Sequence, residues 1–219
     1  KYSKLLIDFP YRYNYLKMFN NIKALYHILL NYHFLTIPIV ANEIYFNFRY
    51  DKKLNRFKYL KSNFLSDSIP CPYSFLKKIK KFIEKKDINL ICDLGSGYGK
   101  VLYFFGKINQ HRIDGVELDS NIYQLSKSLE NERINIFNEN ILEFNLNSKN
   151  YDLYILNDPL KQIDDLEKII KKLKTVNRSC HFIFINLTPE KTNIINSNLE
   201  VIESYIISKN KNIFFTKSK

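Results

Sequence analysis

Three glycines at alternate positions, Gly95, Gly97 and Gly99, sit between a short apolar run ending at Asp93 and a helical pattern that begins near Lys100. That order reads as strand, tight turn and helix. Without a Cβ the backbone can take positive φ and come into contact with a ligand. The start of the following helix turns free N–H groups toward that ligand and favours an anionic group on it. Spacing removes two ligand classes that use such a turn. A dinucleotide fingerprint, G-x-G-x-x-G, requires glycine where Lys100 stands, and a P-loop requires glycine at 94 and Ser or Thr at 101, where the chain has Leu94 and Val101. Taken alone, the turn is also compatible with a purely structural glycine loop.

A second feature narrows the reading. Arg112-Ile-Asp-Gly-Val-Glu-Leu-Asp119 reads as a strand ending in Glu117, and an acidic side chain at the tip of the strand beside a glycine turn can accept both hydroxyls of a ribose. All five glycines of the chain (95, 97, 99, 106 and 115) fall between these two strand tips. Their confinement to this stretch points to a backbone requirement.

The D-L-G-S-G-x-G turn followed by Gly115-Val-Glu117 resembles the first motifs of class I methyltransferases, which use S-adenosylmethionine (SAM). The resemblance covers about residues 70–219 and implies a doubly wound, mostly parallel seven-stranded sheet with an antiparallel last strand. It implies a cofactor site built from Asp93, Gly95, Ser96, Gly97 and Gly99, with Glu117 on the ribose. Asn140, after the third strand, takes the place of the side chain that bonds the adenine amino group, although a plain loop asparagine remains an alternative. Because the segment before the core often covers the cofactor in such enzymes, Tyr73 is expected over the site.

The tip of the fourth strand, Asn157-Asp-Pro-Leu160, resembles the N-P-P-Y motif of amino-methylating members. Asn157 and the second proline, Pro159, are kept, whereas Asp158 and Leu160 replace the first proline and the aromatic that stacks on a planar target. The D-L-G-S-G and G-V-E motifs with an asparagine after strand four also resemble the Dot1-like and related small protein-lysine methyltransferases. This resemblance implies a flexible amine as acceptor, with Asn157 orienting it and also touching the cofactor, and Asp158 removing a proton or anchoring the substrate.

The remaining chain fits this frame. The sequence has 219 residues, 45% of them hydrophobic, enough for one good core and an extension. Ser74 is a plausible N-cap for a helix carrying Phe75, Leu76, Ile79, Phe82 and Ile83 on one face. Strands follow at Arg133–Phe137, Tyr151–Leu160 with its polar tip, and Cys180–Asn186, and helices are expected from Asp119 or Ser120, over Ile163–Leu173, and from Thr188-Pro189. A hairpin of Glu200–Ile207 and Asn212–Thr216 closes the domain. Residues 1–69 form a basic, aromatic-rich N-terminal extension, with an amphipathic helix expected over Phe19–Phe34 and ended near Pro38.

Charge is uneven along the chain. Residues 1–87 hold 17 Lys/Arg against 6 Asp/Glu, a net of +11, and residues 88–219 hold 17 against 16, a net of +1. A basic appendage on a near-neutral domain suits an anionic partner, RNA or an acidic protein face, or is simply a solvated lysine surface. No uninterrupted apolar window long enough for a transmembrane helix is found. Cys71, Cys92 and Cys180 form no C-x-x-C, no histidines take ligand spacing, and no metal site is expected; a reducing intracellular compartment suits them. Competing readings are a methyltransferase-fold protein that has lost turnover and binds RNA or a large assembly, and a small-molecule methyltransferase with a lid.

Overall fold

The computed structural model describes residues 41–46, 54, 68–176, 180–208 and 210–219. The helix expected over Phe19–Phe34 and its end near Pro38 lie outside the described residues. The elements run α1 (residues 41–46), α2 (Tyr73–Ile83), β1 (Leu90–Leu94), α3 (Lys100–Leu102, continuing as a wider π-type turn over Tyr103–Ile108), β2 (Arg112–Val116), α4 (Ser120–Ser126) and β3 (Ile134–Phe137). Then follow β4 (Leu153–Leu156), α5 (Ile163–Lys174), β5 (His181–Ile185), α6 (Pro189–Asn198), β6 (Leu199–Ser208) and β7 (Lys211–Ser218).

The seven strands form one sheet in the order β3-β2-β1-β4-β5-β7-β6. β1 to β5 are mutually parallel, and β7 inserts antiparallel between β5 and β6. This is the doubly wound architecture expected from the sequence, including the terminal hairpin. The order reverses at β1, where β2 lies on one side and β4 on the other, and ligands bind at such a switch point beyond the strands' carboxyl ends.

The parallel strands are buried on both faces, so their residues alternate between two cores rather than between core and water. Ile91, Ile113, Ile155 and Ile183 face α2 and α3, where Leu76, Ile79, Leu102 and Phe105 pack against them. Cys92, Leu94, Val116, Tyr154 and Phe182 face α5 and α6, where Leu166, Ile169, Ile170 and Ile195 complete the other core. All three cysteines are free and buried.

Helix starts agree with the sequence in two places and differ in a third. The Asp119 side chain accepts from the N–H groups of Asn121 and Ile122, and the Thr188 side chain accepts from Lys191 with Pro189 in the first turn. Ser74, however, is not the cap of its helix. α2 begins at Tyr73, Pro72 stands at the N-cap without a side-chain bond, and the Tyr73 N–H donates to Glu43 of α1. A carboxylate distant in sequence therefore does the capping, and Ser74 lies inside the first turn. Phe46 of α1 is buried and stacks on Tyr73 at 4.5 Å, so residues 41–46 are built into the domain although the sequence reading grouped them with the extension.

Among the described residues, no helix is long and apolar enough to cross a membrane. One buried polar cluster braces the β2 side of the sheet. Asp114, 1% exposed, accepts from Tyr151 Oη and Lys149 Nζ, both at 2.6 Å, and from Asn135 Nδ2 at 2.9 Å. Truncating it leaves the buried Tyr151 hydroxyl without its acceptor, so Asp114→Ala should cost about 2–3 kcal/mol. Lys149→Ala, which removes the half-exposed partner, should cost about 1 kcal/mol or less. Urea unfolding of the two variants tests that asymmetry, and equal losses would refute it.

Candidate active site

Beyond the ends of β1, β2 and β4 lies a cleft of about 330 Å³, within the usual ~300–1,000 Å³ of small-molecule sites. Its floor is the glycine turn. Gly95, Gly97 and Gly99 all have positive φ, as the sequence required. The need is also steric at two of them. A Cβ on Gly95 would meet Pro159 Cβ at 2.4 Å, and one on Gly99 would meet Leu129 Cδ1 at 2.4 Å. Gly95 therefore lets the tip of β4 close onto the turn, whereas Gly99 lets α3 seat against the segment after α4 and does not itself line the cleft.

Pairing Asp93 with Gly115 sets the tips of β1 and β2 side by side. Glu117, two residues farther on, then reaches back to the turn: its Oε2 accepts from the Gly97 N–H at 2.8 Å and its Oε1 from the Asp119 N–H at 2.8 Å. Burial raises its pKa while those two N–H bonds oppose the rise. Each carboxylate oxygen retains a further lone pair for a ligand's hydroxyl.

Asp93 lines the cleft at 1% exposure, and neither carboxylate oxygen has a partner among the described residues; the Ser96 hydroxyl is similarly buried and unpaired. Burial first, and the neighbouring charge of Glu117 second, push the Asp93 carboxyl up from 3.8 to about 8. A buried carboxylate without a donor is costly, and its location on a cavity wall suits a cationic ligand group.

The tip of β4 carries Asn157, Pro159 and Leu160 into the cleft lining. Asn157 bridges elements: its Nδ2 donates to the Ile69 carbonyl at 2.7 Å, and its Oδ1 accepts from Asn186 Nδ2 at 2.6 Å. Asp158 does not line the cleft. At φ 43° it turns to α6, where its Oδ1 accepts from the buried ammonium of Lys191, which also donates to the Leu160 carbonyl. The aspartate expected to handle substrate instead fixes the shape of the strand tip.

Asn140 lines the cleft, with its Oδ1 accepting from the Leu142 N–H at 3.0 Å in a side-chain-closed turn. Lys172 of α5 fixes that turn by donating to the carbonyls of Leu142 and Phe144. Tyr73, expected over the cofactor, lies in the core instead, between Phe46 and Phe104 and beneath the Lys100 ammonium. The residues just before it, Ser68, Ile69, Pro70 and Cys71, are the ones that cover the cleft. The sequence reading missed Lys100, Lys191 and Glu43, whose roles depend on partners more than 30 residues away.

Residues 92–184 match the family model described as a methyltransferase domain. The chain carries a SAM-dependent methyltransferase domain. Solved structures of such enzymes share its fold. The N-methyltransferase NodS from Bradyrhizobium japonicum, in complex with S-adenosyl-L-homocysteine, has a TM-score of 0.54 at 11% identity over 67% of this chain and 86% of its own. Magnesium protoporphyrin IX methyltransferase from Synechocystis, with bound SAM, has a TM-score of 0.52 at 10% identity over 67% and 79%. The StiE O-methyltransferase has 0.52 at 14% identity over 65% and 74%. At these identities the likeness is one of fold, and no curated protein matches the chain in sequence.

The residues of this methyltransferase domain fit the cofactor. Gly95 and Gly97 permit close approach, Glu117 offers acceptors for ribose hydroxyls, and the orphaned carboxylate of Asp93 suits the cofactor's ammonium. When bound, SAM supplies a methyl group already activated by its sulfonium, so the protein's task is chiefly to hold both reactants in line.

Asp93 makes a pH test of this fit. Its folded pKa of about 8 lies above the ordinary value of 3.8, so the stabilisation from keeping it neutral is complete below about pH 4 and is lost as pH rises through about 8. The ligand-free protein should therefore lose Tm relative to Asp93→Asn between pH 5 and 8, and the Tm gain on adding SAM should grow across that window. A wild-type minus variant difference that stays flat with pH would exclude an unpaired Asp93.

Proposed function

We propose that this domain transfers the methyl group of SAM to an amine on a macromolecular substrate, with a protein lysine favoured. The observation that carries the proposal is the chemistry at the tip of β4: an amide, Asn157, flanked by the aliphatic surfaces of Pro159 and Leu160 in the cleft wall. An aliphatic amine can lie along such a wall, while a planar base finds no aromatic at that tip to stack on. The Asn157 Oδ1 that accepts from Asn186 keeps a second lone pair for an incoming amine N–H.

In the reaction the amine must arrive neutral. Its lone pair would displace the methyl group from the sulfonium that SAM supplies, leaving a neutral thioether, and the surplus proton on nitrogen would pass to water. Asp158 is committed to Lys191 and has no part in that proton transfer. Asn157 contributes orientation, and misplacement of the acceptor by an ångström can cost roughly hundredfold in rate.

A second reading, methylation of RNA, draws on a groove outside the cleft lined by Lys77, Lys78, Lys81, Lys85, Glu203 and Tyr205, with Lys78 Nζ 3.4 Å from the centre of the Tyr205 ring. Closely spaced cations beside an aromatic ring suit a phosphate backbone, and equally an acidic protein face.

Cell extract incubated with methyl-labelled SAM and the protein separates the readings. Label that resists nuclease, is released by protease and appears as methyl-lysine after acid hydrolysis is the expected result. Asn157→Ala should lower transfer roughly hundredfold with SAM affinity retained. Label lost on nuclease treatment would favour RNA, and label confined to small molecules would overturn the macromolecular assignment.

A further inference from the structure

Lys100 is a buried cation in the wall of a site whose other charged groups are acidic. It is 3% exposed, and among the described residues lining the cleft it is the one cation, against Asp93, Glu117 and Asp165. A buried ammonium must be paired, and its partner comes from far away in sequence: Nζ lies 2.7 Å from Glu43 Oε2 and 4.0 Å from the centre of the Tyr73 ring. Burial lowers the Lys100 pKa, with the Glu43 carboxylate opposing that shift. Glu43 uses its other oxygen, Oε1, to accept the Tyr73 N–H, so its carboxylate stays anchored whether or not Oε2 holds the ammonium.

The methionyl end of SAM is a zwitterion, with one ammonium and one carboxylate on the same carbon. A site that discriminates for it needs a fixed charge of each sign. Asp93 supplies a carboxyl with no partner among the described residues, which a bound ammonium would hold ionised, and Lys100 is the positive charge available in the same wall. Asp93, Lys100 and Cys71 all line the one cleft.

We propose that Lys100 receives the methionyl carboxylate of the cofactor and that Glu43 holds its ammonium in place until the cofactor arrives. On binding, one carboxylate replaces another at Lys100 Nζ, and no buried charge is left bare in either state. Lys100 is thus a specificity residue for the carboxylate, and α1 senses occupancy of the site.

This inference rests on SAM as the cofactor. Its test is the binding of two ligands by isothermal titration calorimetry: SAM itself, and decarboxylated SAM, which keeps the sulfonium and amine and lacks only the carboxylate. Lys100→Gln should weaken SAM about tenfold or more, the usual worth of a charged hydrogen bond, while changing decarboxylated SAM by less than about threefold. Retained binding of the second ligand certifies the variant's fold. Lys100→Arg should recover part of the loss. Glu43→Gln keeps an acceptor for the Tyr73 N–H and drops the competing charge, so it should tighten SAM and leave decarboxylated SAM unchanged. Equal effects of Lys100→Gln on both ligands, or none on either, would overturn the carboxylate role. Selective weakening of SAM in Glu43→Gln would overturn the exchange. Failure of the wild type to bind either ligand would overturn the cofactor assignment itself and this inference with it.

Discussion

The site depends on the carboxylate of Glu117 spanning two strand tips. By accepting from the Gly97 N–H on one oxygen and the Asp119 N–H on the other, it locks the glycine turn after β1 to the start of α4 after β2. Parallel pairing of β1 with β2 makes that span possible, since Asp93 and Gly115 are register partners and both loops leave the sheet at the same level. Gly115 has its own part: a Cβ there would meet Ser96 Oγ at 2.9 Å and Leu102 Cδ1 at 2.7 Å, so the turn could not fold down onto β2. Asp93 is then left beneath the turn with no donor among the described residues, and burial together with the nearby Glu117 charge keeps its carboxyl protonated well above the usual carboxylate range. A cationic ligand in the empty site would let that carboxyl ionise.

Local chemistry made much of this legible in advance. The glycine spacing, the acid ending the second strand, the Asp119 and Thr188 caps, and the alternation of strands with helices each depend on residues within a few positions of one another. What could not be read off depends on partners brought in by the fold. Asp158 looks free in sequence, but Lys191, 33 positions later, neutralises it. Tyr73 looks like a cofactor lid, yet the roof is made by Ser68 to Cys71, because α2 begins at Tyr73 and turns its ring into the core. Ser74 lost its capping role to Glu43, which no spacing rule connects to it. For Lys100 there was a faint signal: a lysine in the first turn of a helix opposes the helix dipole, and such a placement asks for an acid nearby.

Burial on both sheet faces explains why the domain tolerates a charged cleft at one edge. The aliphatic strand centres belong to two separate cores, one under α2 and α3 and the other under α5 and α6, and the polar atoms of the cleft sit at the strand ends. Where a charge does enter the interior away from the cleft, it is fully engaged: Asp114 has three donors around its carboxylate. Asp93, equally buried, has none among the described residues. That contrast between two aspartates of like burial is what supports Asp93, rather than Asp114, as the acid proposed to meet a ligand.

The same contrast bears on how the two ends of the cleft communicate. Ile69, in the roof, is held through its carbonyl by Asn157 at the acceptor end. Four residues on, Tyr73 is held through its N–H by Glu43, whose other oxygen engages Lys100 at the cofactor end. The segment from Ser68 to Tyr73 is therefore tied at one point to Asn157, proposed to orient the acceptor, and at another to Glu43, proposed to hold Lys100 until the cofactor arrives. It contains Pro70 and Pro72, whose rings restrict φ and limit how far the tie points can move independently. A shift of the Glu43 carboxylate on cofactor binding would be transmitted along this short, stiff stretch to the Asn157 amide. On the roles proposed for Asn157 and Lys100, orientation of the acceptor and occupancy of the cofactor site would be properties of one strap rather than of two separate sites.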